Sequence, residues 1–217
     1  MRFPNAQKGV SRIYTAEILM LITSVLAIVA GIIMIGAASV QGADADSGVM
    51  AIAGGSLVVV LISGIVMIVA FILNLMGITS AMKDEPSFRM AMIFTLVGIG
   101  ASVLSSALTS QQTVSNIFSW VSNLAKIIVT LTIIQGICNL AVRFRDSDMI
   151  DRGKRLMYIL LSVQVLAFIA SVIADIFQTS GGLATAGVIA IISAVIDIVA
   201  YFMYLGYLSR AKKMLNQ

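Results

Sequence analysis

Long apolar stretches without charge, separated by short groups of charged residues, dominate the pattern of this chain. Residues 18–40 and 47–82 carry no charge, and residues 90–142 carry one, Lys126. A helix needs about 20 apolar residues to cross a bilayer, so residues 90–142 are too long for one crossing, and the polar run 105–116 divides them. The pattern predicts six membrane-spanning helices, at about residues 18–40, 55–77, 90–109, 117–139, 156–177 and 183–208.

Composition supports this assignment to membrane proteins. Hydrophobic residues make up 59% of the 217-residue chain, charged residues 11%, and the mean hydropathy is +1.04. Soluble domains have about 45–50% apolar and about 25% charged residues. The expected fold is an all-α, polytopic bundle of six transmembrane helices. Residues 1–217 would form a single transmembrane domain, because the short connections leave no room for a separate soluble domain.

The basic residues predict the orientation of the chain in the membrane. Lys and Arg are enriched in cytoplasmic loops, and with six spans one side receives both termini and two of the loops, those after the second and the fourth span. That side receives thirteen of the 14 basic residues: Arg2, Lys8, Arg12, Lys83, Arg89, Arg143, Arg145, Arg152, Lys154, Arg155, Arg210, Lys212 and Lys213. Five spans would place Arg210 and Lys213 on the opposite side. We therefore expect a multi-pass protein of the plasma membrane with both termini in the cytoplasm.

A weak internal repeat is compatible with this layout, as three parallel helical hairpins around an axis along the membrane normal. A basic residue precedes each odd-numbered span, and a glycine lies near the cytoplasmic end of each even-numbered span. These residues are Arg12, Arg89 and Arg155, and Gly77, Gly136 and Gly206. Basic anchors and glycines are common in membrane proteins, so independent occurrence explains the pattern as well as a true repeat.

Three ionisable residues within the predicted spans, Lys126, Asp175 and Asp197, are candidates for a functional site. Ionisable groups in the membrane are costly and usually functional. On a helix, residues three, four and seven apart share a face. By that rule Ser122 and Asn123 accompany Lys126, and Tyr201 and Tyr204 accompany Asp197. We expect these polar faces to converge inside the bundle.

Depth selects the predicted partner of Lys126. Lys126 lies ~10 residues below the outer end of its span and Asp197 ~14 below its own, a difference of ~6 Å. Asp175 lies within ~3 residues of the outer surface. The prediction is a Lys126–Asp197 ion pair, with a hydrogen bond from Tyr201 or Tyr204. Two interpretations remain open: a buried polar cluster that fixes helix register, or the lining of a transport path.

Several classes of enzyme are excluded by residues that the chain lacks. It has no histidine, which excludes a serine–histidine pair and an H-E-x-x-H zinc site, and it has no phosphate-binding loop. Aspartic peptidases need two carboxylates at one site, whereas Asp175 and Asp197 are predicted at different depths. The single cysteine, Cys138, cannot form an internal disulfide. We therefore expect no enzyme, no cofactor and no metal.

The function expected from these patterns is that of a non-enzymatic membrane component acting through helix–helix or partner-protein contacts. The alternative is a small transporter or channel subunit with a polar site at Lys126, Asp197 and Asp175. We expect the chain to lie in the lipid bilayer. Two kinds of protein partner stay open: further copies of the chain and other membrane proteins. The net charge of +4 is explained by the cytoplasmic anchors, so no nucleic acid is expected.

Overall fold

The computed structural model is helical throughout the part of the chain that it describes. It describes the backbone of residues 3–39, 48–108, 111–179 and 183–216, and the side chains of residues 3–26, 59, 61–108, 111, 113–167, 169, 196 and 198–216. The helices are α1 (Pro4–Ser39), α2 (Gly48–Ala81), α3 (Ser87–Ala107), α4 (Gln112–Phe144), α5 (Ser147–Thr179) and α6 (Leu183–Leu215).

Most of these helices extend beyond the predicted spans at the ends that carry the basic residues, which we call their charged ends. α1 begins at Pro4 rather than near residue 18, α5 begins at Ser147 rather than near residue 156, and α6 continues to Leu215. Side-chain hydropathy determines where a helix enters the membrane, whereas its backbone hydrogen bonds form equally well in water. The charged residues expected in loops therefore continue the helices.

Four segments among the residues described are long and apolar enough to cross a membrane. They are Pro4–Leu26, Leu61–Ala81, Ser87–Ala107 and Thr113–Phe144. The all-helical fold and these segments support the assignment to membrane proteins. The number of six spans and their arrangement as hairpins stay predictions.

The chain divides into two compact units. The first unit comprises Met1–Val10 and Ile78–Gln217, and the second comprises Ser11–Gly77. Within the first unit, α3 packs against α4, α4 against α5, and α5 against α6. The prediction of a single transmembrane domain is not tested by this division and stays a prediction.

The core of the first unit lies at the charged ends of its helices. Large side chains that are fully buried there include Phe88, Ile133, Ile134, Ile137, Leu140 and Leu208. Farther from the charged ends, α3 and α4 expose large apolar side chains, among them Leu96, Val103, Ile117 and Leu124. Exposed apolar surface of this extent is unusual for a soluble monomer and is the surface that a bilayer would cover.

Small residues allow α3 and α4 to approach closely. A Cβ atom added to Gly98 would lie 3.3 Å from the Cβ atom of Ala125. Nearer the predicted outer end, the Ser105 hydroxyl donates to the Ser115 carbonyl and the Ser115 hydroxyl to the Ser105 carbonyl, both over 2.9 Å. Close packing of small residues and hydroxyl hydrogen bonds are what hold helices together in lipid.

The connection between α4 and α5 is a two-residue turn that ends one helix and starts the next. Arg145 adopts a left-handed conformation (φ 57°), and the amides of Arg145 and Asp146 donate to the carbonyls of Val142 and Ala141. This pattern closes the last turn of a helix. The Asp146 carboxylate then accepts from the Met149 amide over 3.1 Å, which caps the first turn of α5.

The second unit buries a line of small residues on α2. Ser63, Ala70 and Gly77 recur at seven-residue spacing and are buried, whereas Leu61, Ile65 and other large apolar side chains of α2 are exposed. A helix in lipid packs through its small residues and leaves its large ones to the lipid chains. α2 therefore has the side-chain distribution of a membrane helix.

The glycines of the predicted repeat have different surroundings. A Cβ atom at Gly136 would lie 2.6 Å from the ring of Phe88, whereas nothing lies within 4 Å of such an atom at Gly206. Gly136 therefore permits a close contact between α3 and α4, and Gly206 faces open space. The internal repeat stays a prediction.

Candidate functional site

A polar line runs along α4 around Lys126. Asn116, Ser119, Asn123 and Lys126 follow one another at intervals of three or four residues, which places them on one side of the helix. All four side chains are exposed. We call these four residues the α4 polar line.

The α4 polar line continues the side of the helix that is buried at its charged end. Ile133, Ile137 and Leu140 lie seven, eleven and fourteen residues after Lys126, and all three are fully buried. The same side of α4 is thus apolar and packed near the charged end, and polar and exposed toward the other end. The α4 polar line is thus the exposed continuation of a helix side that other helices cover at the charged end.

Lys126 lies close to the middle of α4. The helix has 33 residues, a length of about 50 Å, and Lys126 is two residues from its midpoint. The hydrocarbon layer of a bilayer is about 30 Å thick. If α4 is centred in the membrane, the headgroups on either side are roughly 15 Å from Lys126, beyond the reach of its side chain. Among the described residues, none forms an ion pair or a hydrogen bond with its ammonium group.

The structure separates Ser122 from the other residues predicted around Lys126. Ser122 is buried, and its carbonyl oxygen lies 3.8 Å from the position of a Cβ atom at Gly98. It therefore belongs to the contact with α3, whereas the neighbouring Asn123 belongs to the exposed α4 polar line. Helical spacing groups both residues with Lys126, because positions three and four residues apart cover a broad part of the helix surface.

The remaining predicted site residues lie on α5 and α6. Tyr204 is buried and Tyr201 is half-buried, and both take part in contacts. The side chains of Asp175 and Asp197 lie outside the described residues. The Lys126–Asp197 ion pair therefore stays a prediction.

One contact between α4 and α6 gives the relative register of these helices. The Cys138 thiol and the Tyr207 hydroxyl lie 3.3 Å apart. α4 and α6 both pack against α5 and are joined to it by short connections, so they run in the same direction. Lys126 is twelve residues before Cys138 and Asp197 is ten before Tyr207, so their backbones differ in depth by about 3 Å.

Position 197 also lies on the side of α6 that is buried farther along the helix. Ala200, Tyr204 and Leu208 follow it by three, seven and eleven residues, and all three are buried. Positions 126 and 197 are therefore at similar heights along their helices, and each lies in line with the buried side of its own helix.

A second group of polar residues forms a network around a buried carboxylate, that of Glu85, at the charged end of the first unit. Glu85 is 4% exposed. Its carboxylate accepts hydrogen bonds from Arg143 Nη2 over 2.9 Å, from the Ser87 hydroxyl over 2.8 Å and from Asn139 Nδ2 over 3.2 Å. Asn139 Nδ2 also donates to Ser87 Oγ over 2.8 Å. Each charge and amide of this Glu85 network has a partner, as buried polar groups require.

Sequence reasoning missed the Glu85 network. Glu85 and Arg143 belong to charged segments that were expected to be cytoplasmic loops. One signal was available: Asn139 and Arg143 are four residues apart at the end of a span and share a helix face. Their partner, Glu85, lies in the turn before α3. It could not be identified without the packing of α3 against α4.

The start of α1 is held by the turn between α2 and α3. The Asp84 carboxylate accepts from the Ala6 amide over 2.8 Å and from Asn5 Nδ2 over 2.9 Å. Ala6 is in the first turn of α1, where amides have no partner within the helix and a negative charge is favoured. Next to this contact, the Phe3 ring lies against the Phe144 ring and the Arg143 guanidinium.

Cys138 is a buried free thiol beside Tyr207 of α6. Its sulfur also faces the backbone of α5, where a Cβ atom at Gly153 would collide with the side chains of Cys138 and Tyr207. This contact brings α4, α5 and α6 together at the charged end.

The two polar groups thus differ in kind. The Glu85 network surrounds a buried carboxylate whose hydrogen-bond partners all belong to the network, and the α4 polar line presents a lysine, two amides and a hydroxyl on an exposed surface. The α4 polar line is therefore the candidate functional site. The chain was compared with known protein families, with curated proteins and with solved structures, and none of the three comparisons gave a match.

Proposed function

We propose that this chain is a six-span protein of the plasma membrane, with both termini in the cytoplasm, that works without catalysis through contacts between membrane helices. The α4 polar line would be the contact surface for a helix of a further copy or of another membrane protein. The observation that carries the proposal is the exposure of Ser119, Asn123 and Lys126 near the middle of an apolar helix.

The energetics of lipid favour a partner at this surface. A hydrogen bond between membrane helices contributes about 0.6–2 kcal/mol, and a charged side chain at the bilayer centre costs about 2.5 kcal/mol or more. A helix that satisfies Asn123 and Lys126 would therefore bind more tightly than one that offers only apolar contact.

The contacts of the other reactive groups support a non-enzymatic role. Glu85 and Arg143 bind each other, and Cys138 packs against Tyr207. These groups are engaged in holding helices together at the charged end. The absence of histidine from the chain also leaves it without the most common general base near neutral pH.

A small transporter or channel subunit is the second candidate function. It is favoured by the position of the α4 polar line in line with the buried side of α4 and by the similar heights of Lys126 and Asp197 along their helices. In a transporter these residues would meet water and solute, whereas in a helix-contact protein they would be covered by protein.

Cysteine accessibility distinguishes the two functions. In a Cys138→Ser background, single cysteines replace Ser119 or Asn123, and a membrane-impermeant maleimide is applied from each side in turn. Leu124 is the matched control, because it is exposed on a neighbouring face of α4, and Ser147 is the positive control at the charged end. We expect labelling of the cysteine at position 147 alone. Labelling at 119 and 123, without labelling at 124, would instead support a water-filled transport path.

Photo-crosslinking tests the contact itself. A photoreactive amino acid at position 123 is expected to yield a discrete protein adduct in the intact membrane, and the same group at position 124 is expected to react with lipid. Equal adducts from both positions would contradict a specific contact surface. Tags at the two termini should both be protected in spheroplasts, and tags on opposite sides would contradict the six-span topology.

A further inference from the structure

Tyr158 occupies an unusual position on α5. Its side chain is 74% exposed, the highest value among the large apolar and aromatic side chains that the structure describes. It lies three residues after Arg155 and close to the start of the predicted span 156–177. Tyrosines at such positions place their ring at the headgroup level, with the hydroxyl toward water. Within the described part of the chain, the Tyr158 hydroxyl has no hydrogen bond.

Basic residues of α5 and α6 lie near one packed contact between these helices. A Cβ atom at Gly153 of α5 would meet the Tyr207 hydroxyl of α6, and Arg155 and Arg210 follow these two positions by two and three residues. The Asp148 carboxylate accepts from Arg152 over 2.7 Å, and that hydrogen bond lowers the pKa of Asp148, as do the charges of Arg152, Arg210 and Arg155. The effect of both arginines on this one carboxylate agrees with the placement given by the Gly153–Tyr207 contact.

The cluster carries a net positive charge. The exposed charged residues at this end of α5 and α6 comprise five basic and two acidic side chains: Arg152, Lys154, Arg155, Arg210 and Lys213, and Asp148 and Asp151. Arg152 is engaged with Asp148. Arg155 and Arg210 are consequently available to an anionic group from outside the chain.

An apolar surface begins directly beyond this cluster. Leu161, Val165 and Ile169 are each about half exposed and follow Tyr158 toward the middle of the predicted span. The distance from Tyr158 to Ile169 along the helix is about 16 Å, close to the depth of one bilayer leaflet, which is about 15 Å of hydrocarbon.

We propose that an anionic phospholipid of the cytoplasmic leaflet binds at the α5–α6 charged end. Arg155 and Arg210 bind its phosphate, the Tyr158 hydroxyl donates to a phosphate or ester oxygen, and the acyl chains lie along Leu161, Val165 and Ile169. A free phosphate ion would use the arginines but not the apolar surface. An acidic protein segment would not account for an exposed apolar surface one leaflet deep.

The test uses the purified full-length chain in a neutral detergent, with binding followed by native mass spectrometry and by the midpoint of thermal unfolding. The added probes are dioleoyl phosphatidylglycerol, dioleoyl phosphatidylcholine and inorganic phosphate. We expect the phosphatidylglycerol to bind and to raise the midpoint, and the other two probes to have little effect.

Variants locate the site. Each basic residue near an anionic membrane contributes about fivefold in affinity, so Arg155→Gln and Arg210→Gln should each weaken phosphatidylglycerol binding by about that factor, and Tyr158→Phe by less. Arg89→Gln, at an exposed arginine on α3, is the control and should bind as the unchanged chain does. An unchanged unfolding midpoint of each variant without added lipid shows that it is folded.

Four outcomes would overturn the proposal. The first is equal phosphatidylglycerol binding by the unchanged chain and the Arg155→Gln/Arg210→Gln double variant. The second is equal binding of phosphatidylcholine and phosphatidylglycerol, and the third is an equal rise in the midpoint with inorganic phosphate. Lipid binding that appears only together with dimer formation would assign the surface to a second copy and would also overturn it. None of these outcomes depends on whether the α4 polar line contacts a partner helix.

Discussion

The Arg143 guanidinium lies 2.9 Å from the buried Glu85 carboxylate, across the packed ends of α4 and the turn before α3. The arginine side chain is 44% exposed, whereas that of Glu85 is 5% exposed. Removing the arginine would leave a buried carboxylate with neutral partners alone, a situation that is strongly destabilising. Because Arg143 is partly solvated, we expect Arg143→Met to lower the free energy of unfolding by about 1–3 kcal/mol.

The second step of this prediction is a double variant. Arg143→Met combined with Glu85→Gln should recover part of that loss, because an amide can still bind Ser87 and Asn139. The measurement is denaturant unfolding in detergent micelles. The exposed pair Arg152–Asp148 is the control: Arg152→Gln should leave the unfolding midpoint unchanged. A double variant that is less stable than Arg143→Met would show that the ion pair is not the source of the effect.

Gly136 and Gly206 offer a matched pair for testing helix packing. A Cβ atom at Gly136 would overlap the Phe88 ring, and one at Gly206 would meet open space. Overpacking of a core costs about 1–3 kcal/mol, whereas alanine stabilises a helix by about 0.5–1 kcal/mol relative to glycine. We expect Gly136→Ala to lower the unfolding midpoint and Gly206→Ala to leave it unchanged or raise it. A similar fall for both would contradict the close α3–α4 contact.

Asp84 should determine whether the start of α1 is ordered. Asp84→Ala removes the acceptor for the Ala6 amide and for Asn5, and loss of such a cap costs about 1 kcal/mol. Hydrogen exchange of the amides of residues 5–7 is expected to accelerate about fivefold, the factor that corresponds to this free energy. Asp151→Ala, at an exposed acid on α5, is the control. No acceleration with Asp84→Ala would show that other contacts order this segment.

We expect the effects of replacing Lys126 and Asp197 on the amount of protein in the membrane to depend on each other. If they pair, Lys126→Met leaves a carboxylate in the membrane, and the double variant Lys126→Met/Asp197→Asn removes both charges. We expect the single variant to accumulate to a lower level in the membrane than the double variant. The measurement is quantitative blotting of membrane fractions after expression from one promoter. Equal levels of the single and double variants would exclude this pair and leave a partner helix as the source of the counter-charge.

The two parts of the candidate site differ in how far they could be predicted. Lys126 stands out in the sequence because it is the only charged residue between positions 90 and 142, and the structure places it near the middle of α4. Its part in a functional site stays a prediction. The division between Ser122 and Asn123 could not be predicted, because adjacent residues are only 100° apart on a helix and the neighbour that buries one of them, Gly98, lies on another helix. Glu85 was missed for the same reason, since its partner is 58 residues away.

The sequence by itself determined that this is a helical chain suited to a bilayer. The free energy of transferring a side chain into lipid depends on that residue, and these free energies add up along a span. The tertiary structure decided which side of each helix is covered. It turned Ile133 and Ile137 inward and left Asn123 and Lys126 exposed on the same side of α4. Burial depends on where the neighbouring helices lie, and that is a property of contacts between distant parts of the chain.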